Sequence, residues 1–150
     1  MLHTYRRFLL AEQRAGALTL YHGSPKPFAE KTDYLEWYAS ASPEFAARYG
    51  ALVYALDVRP GLLFDSTDPG SIAALYDAGY AVQDPHTGED YATPDDYLDA
   101  LDPDNTWHPI EASEEAFEWL KLHYDLIKIR EDGYTNYVLH RRVIRGARLL

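Results

Sequence analysis

The sequence predicts an α+β fold, and three observations carry the prediction. Helix and strand patterns come in mixed order, the connections have hairpin rather than crossover character, and no Gly-rich nucleotide fingerprint or P-loop follows any strand. At 150 residues, 47% apolar and 25% charged, the chain is long enough to bury one core, so residues 1–150 are read as a single domain.

The elements follow from local chemistry. Residues 2–14 place Tyr5, Phe8 and Leu9 at helical spacing among charged neighbours, with Gly16 as a stop, and predict a short helix. The β-prone run from Leu18 to Tyr21 ends at Gly23-Ser24-Pro25, and a loop through Pro27 to Asp33 leads to a strand over Leu35 to Ser40. Ser42-Pro43-Glu44 opens a helix: a hydroxyl to cap it, a proline at its first position and an acid in its first turn. Gly50 closes that helix, and Leu52 to Val58 alternates as a strand up to Pro60-Gly61. Further helices are expected over Ser71 to Ala78, over Asp95 to Leu101, and from Ser113 as N-cap through His123. Asp132-Gly133 between Leu126–Ile129 and Tyr134–His140 is a strong hairpin signal, and a last apolar run lies near Leu149.

The net charge of −10 hides two opposite parts. Residues 60–120 hold 15 Asp and Glu and no Lys or Arg, leaving 14 basic against 9 acidic residues elsewhere. Such a stretch repels phosphate backbones and argues against general nucleic-acid binding. It is either a hydrated acidic insertion, over about residues 66–118, or a face for a basic partner. No apolar window reaches about 18 residues and no cleavage pattern follows the N-terminal apolar stretch, so neither a membrane span nor a signal peptide is expected, and the location expected is cytoplasmic. The absence of cysteine removes disulfides, thiolate metal sites and thiol nucleophiles. No metal site is expected: Pro109 breaks the helical spacing between His108 and Glu111, and neither Asp84, His86, Glu89 and Asp90 nor Asp102 and Asp104 follow a calcium-loop pattern.

Three segments gain meaning as a set. Tyr21-His22-Gly23-Ser24-Pro25 ends a strand where glycine admits close backbone approach and His22 offers a donor to a hydroxyl. Trp37-Tyr38-Ala39-Ser40 leads into the helix that ends at Tyr49. The third is the hairpin from Tyr124 to His140. In this order the set resembles the ADP-ribosyltransferases of the His-Tyr-Glu type, including small phage and mobile-element members, among them an anti-CRISPR protein. The resemblance covers residues 18–60 and 120–150. It implies a split antiparallel sheet with flanking helices, NAD as cofactor, and transfer of ADP-ribose to a macromolecular, protein target as part of an anti-defence or toxin activity.

By that resemblance His22, Gly23, Ser24, Ser40, Tyr49 and Asn136 contact NAD, with Tyr49 stacking on nicotinamide and Tyr38 (or Trp37) as the strand aromatic. The family's closing strand carries an acid just before an aromatic-aliphatic run, and here Asn136 stands before Tyr137-Val138-Leu139. Glu131, at the turn, is the first candidate for the catalytic acid, with His22 and Tyr38 beside it and Asn136 as the alternative occupant. A carboxylate is the group this chemistry needs, because breaking the nicotinamide–ribose bond builds positive charge on the sugar. The competing expectation is a non-enzymatic protein of the same fold whose acidic segment blocks a basic partner surface.

Overall fold

The computed structural model describes residues 14–27 and 35–150. The expected helix over residues 2–14 lies outside the described residues except for its last member, and Arg14 is in a strand. The expected loop to Asp33 lies largely outside them as well. Eight strands are described: β1 (Arg14–Ala15), β2 (Leu18–Ser24), β3 (Glu36–Ser40), β4 (Leu52–Val58), β5 (Gly61–Asp65), β6 (Leu126–Glu131), β7 (Tyr134–His140) and β8 (Ile144–Leu149). They form a sheet in the order β1-β5-β6-β7-β3-β2-β4-β8.

The fold is mixed α+β. Its pairings are antiparallel with one exception: β5 and β6 run parallel, with Leu63 opposite Leu126. The expected split antiparallel sheet is departed from there, because the helical stretch from residue 66 to 123 is long enough to carry the chain back to the same end of the sheet. Between β2 and β3 the ladder holds a single pair, Tyr21 opposite Ser40. The next pairs in that register, His22 opposite Ala39 and Gly23 opposite Tyr38, are absent from it. The strands on either side are well paired, β2 to β4 over seven residues and β3 to β7 over five. The sheet therefore opens along one seam.

Helix α1 (Pro43–Ala46) begins where expected, the Phe45 N–H donating to Ser42 Oγ at 3.2 Å, and runs on as a 3-10 turn over Ala47–Tyr49. Helix α2 (Pro69–Asp77) starts earlier than the apolar spacing indicates, because Asp68 caps it through the Ser71 N–H at 2.9 Å. Thr93 caps α3 (Pro94–Ala100) and Ser113 caps α5 (Glu114–His123). Helix α4 (Trp107–Ala112) was not anticipated. Pro109 falls in its first turn, where a missing N–H costs nothing, so the proline does not break the spacing of His108 and Glu111 as the sequence suggested. Asp132 and Gly133 form the expected two-residue turn, with φ of 51° and 79°.

Two apolar clusters cover the two faces. Leu20, Trp37, Leu56, Val58, Leu126 and Leu139 make one. The other joins Ile127, Ile129 and Val138 of the sheet to Phe64, Ile72, Leu75, Tyr97, Ile110 and Leu120. The acidic stretch is thus not a hydrated appendage. Most of its carboxylates face water, Asp77 Oδ2 being a buried exception, while its apolar positions supply most of a core.

Helix α1 lies against β2 at Gly23, where an added Cβ would sit 1.7 Å from the Ala46 carbonyl oxygen. Gly23→Ala is expected to push α1 off the sheet and to destabilise the protein by about 1–3 kcal/mol, the range of overpacked cores. Urea unfolding of the variant checks this.

Candidate active-site cleft

The seam between β2 and β3 opens into a cleft of about 450 Å³, within the size range of small-molecule sites. Along β2 it exposes Tyr21, His22 and Gly23; along β3, Tyr38 and Ser40; from the α1 segment, Phe45 and Tyr49; from the hairpin, Ile129, Glu131 and Asn136. Ser24 is not among the residues that line it. That side chain is fully buried, and its Oγ accepts the Lys26 N–H at 3.0 Å to shape the turn after β2.

His22 is only 9% exposed, its ring edge-on to Trp37 with centroids 5.0 Å apart. Its Nδ1 lies 2.6 Å from the Tyr38 carbonyl oxygen. A carbonyl can only accept, so Nδ1 holds the proton and the acceptor nitrogen of the neutral ring is Nε2. The expectation that His22 donates to a hydroxyl is corrected for the neutral ring, which would accept from one. Ser40 is buried, and its Oγ accepts the Ser42 N–H at 3.0 Å, an arrangement that bends the chain into α1.

Register decides what alternation along one strand could not. Ile129 pairs with Asn136, and Asn136 with Ser40, so these three side chains share a face; Glu131, two residues from Ile129, shares it too. Both candidates for the acid position face the cleft. Asn136 is 4% exposed, and among the described residues its Oδ1 has no hydrogen-bond partner. Glu131 stands nearer the surface. Burial pushes its carboxyl above the ordinary glutamate value, Asp132 and Glu111 add repulsion, and His108 and Arg48 offset part of it.

The aromatic residues keep open faces toward the cleft. Tyr38 is 48% and Tyr49 57% exposed. Burial raises the Tyr49 hydroxyl, and the Glu131 charge raises it further, which places the two within electrostatic reach. Arg48 lies over the Phe45 and Tyr134 rings at 4.6 and 5.1 Å and pairs with Asp132 at 3.1 Å, tying the segment that carries Tyr49 to the turn that follows Glu131.

One lining residue escaped the sequence reading. Trp107, first residue of α4, meets Tyr38 edge-on at 5.8 Å and so brings the acidic stretch into the cleft wall. The signal available was Thr106-Trp107-His108-Pro109, a cap residue followed by a proline within one turn. Among the described residues no group of three His, Cys, Asp or Glu is placed to hold a metal ion, and no helix is long and apolar enough to cross a membrane.

No protein-family model and no curated protein matches the sequence. Among solved structures the chain is similar to one described as the crystal structure of an anti-CRISPR protein. The TM-score is 0.50 and the identity 12%, over 91% of this chain and 97% of that one. At that identity the likeness is one of fold.

Because the folded state holds the Glu131 carboxyl above its unfolded value, it favours the protonated form, and stability is lost as pH rises through the folded value. Glu131→Gln is therefore expected to melt slightly higher than the parent at pH 7, by no more than about 2 °C given solvent screening. The difference should vanish below the ordinary carboxyl range, and thermal melts at pH 3.5 and 7 check it.

Proposed function

We propose that this chain is an NAD⁺-dependent mono-ADP-ribosyltransferase. The observation that carries the reading is the seam itself: His22 and Gly23, Tyr38, Tyr49, Glu131 and Asn136 come from four separate segments and meet in one cleft. The residues suit a dinucleotide, with exposed rings for a planar base, a glycine backbone edge, and the Asn136 amide as a buried hydrogen-bonding group in the cleft wall. NAD⁺ would supply the nicotinamide–ribose bond, whose cleavage leaves positive charge on the sugar. Glu131 would stabilise that charge, and the surroundings that raise its carboxyl also keep the charge poorly solvated and hence effective. Tyr49 would orient the leaving ring, a contribution of about 1 kcal/mol. His22 would contact the ribose.

For the target we infer a protein with a basic surface, met by the exposed carboxylates of the stretch from residue 66 to 118. The fold likeness to an anti-CRISPR protein supports an anti-defence role, in which the modified target belongs to a host defence system. One observation favours a second reading: β7 presents an amide, Asn136, at the position the resemblance gives to an acid. A protein of this kind would bind its partner without transfer.

Calorimetry with NAD⁺ and intact-mass spectrometry of target proteins separate the two. An added ADP-ribose unit is the expected result, and absence of both NAD⁺ binding and transfer would leave the binding protein as the better account. Glu131→Gln should still bind NAD⁺ but lose transfer by about 100-fold or more, while Asn136→Ala loses much less. His22→Ala should weaken NAD⁺ binding by about 1–2 kcal/mol. It should also lower the melting temperature, because the ring packs on Trp37 and satisfies the Tyr38 carbonyl.

A further inference from the structure

Three consecutive residues of the acidic stretch lie along the end of β6 and the turn it feeds. The Thr106 N–H donates to the Arg130 carbonyl at 2.9 Å, and the Arg130 N–H donates to Thr106 Oγ1 at 2.8 Å. The same hydroxyl lies 2.6 Å from Ser66 Oγ, and Thr106 is fully buried. The Asp132 N–H donates to Asn105 Oδ1 at 3.0 Å, and the Gly133 N–H to the Asp104 carbonyl at 3.0 Å. Glu131 is thus bracketed by held residues on both sides.

A two-residue Asp-Gly turn closes a hairpin without outside help, since its own left-handed preference sets the dihedrals. Asp132 and Gly133 are both exposed, so water could have satisfied their N–H groups. These bonds are surplus to the hairpin. What they do is fix the end of β6 against the helical layer, one residue before Trp107 enters the cleft wall.

We propose that Asn105 and Thr106 are positioning residues for Glu131, holding its backbone so that the side chain stays directed into the cleft. The proposal rests on the reading of Glu131 as the acid of that cleft. It gives the acidic stretch a working part in the reaction as well as in the core. Asn105 is the better handle, because Thr106 is buried and bonded to three partners.

The test compares Asn105→Ala with Asn105→Asp, which keeps an acceptor for the Asp132 N–H. Two measurements are made on each 150-residue protein: steady-state turnover of NAD⁺, and carboxyl-carbon NMR titration of Glu131. Asn105→Ala is expected to lower kcat about tenfold with KM for NAD⁺ within about twofold, the pattern of a displaced group rather than a lost binding contact. The Glu131 titration should move back toward the ordinary glutamate range, and Asn105→Asp should restore kcat. Parental kcat in Asn105→Ala, or a lowered kcat with an unmoved Glu131 titration, overturns the proposal. If the parent protein never turns over NAD⁺, the reading of the cleft falls, and the titration alone decides: movement in Asn105→Ala upholds the positioning role and an unmoved titration overturns it.

Discussion

The parting of β2 from β3 after the Tyr21–Ser40 pair creates a backbone problem that the neighbouring residues solve, and the cleft is the result. A strand whose ladder stops leaves carbonyl and N–H groups that must find partners. At Tyr38 the carbonyl is taken by the His22 imidazole, so the side chain that the seam exposes also fills the gap in the ladder. At Gly23 the missing side chain lets α1 settle onto β2, and α1 in turn carries Phe45 and Tyr49 over the opening. Closing the seam would satisfy the backbone more simply and abolish the site.

The other side of the cleft depends on a layer that composition alone makes look dispensable. Fifteen carboxylates between residues 60 and 120 suggest a solvated loop, yet Ile72, Leu75, Tyr97, Ile110 and Leu120 from the same stretch are buried against β6 and β7. Most of the charges and the core occupy opposite faces of short helices. Because the layer is anchored on the two strands that form the hairpin, its contacts reach the turn beside Glu131 through Asp104 and Asn105 and the ring of Tyr38 through Trp107.

Features set by neighbouring residues were legible in the sequence. The Ser42-Pro43 and Ser113 helix starts, the Asp132-Gly133 turn and the strand from Leu52 to Val58 all depend on chemistry within a few positions, and the structure has each of them, although Tyr54, Ala55 and Leu56 are buried in succession rather than in alternation. What could not be read was set by distant partners. Leu62-Leu63-Phe64 becomes a strand because β1 and β6 lie beside it, and Ile144–Leu149 because β4 does. The same limit applied to the site. The set of segments was recognisable, but whether Glu131 and Asn136 face one way required the register of β6, β7 and β3, and Ser24 turned out to serve a local turn.

The two margins of the sheet differ in length and in chemistry. One ends in the two-residue β1; the other ends in β8, six residues long, which pairs with β4 on one side and is exposed from Arg145 to Leu149. An exposed strand edge is a template for adding a further strand, and two copies meeting there would extend the sheet across molecules. Arg145 and Arg148 on that strand would be brought close to the same residues of the second copy. Like charges facing across a strand pair oppose its formation. The margin best suited to templating aggregation thus carries its own electrostatic guard, which high salt would weaken.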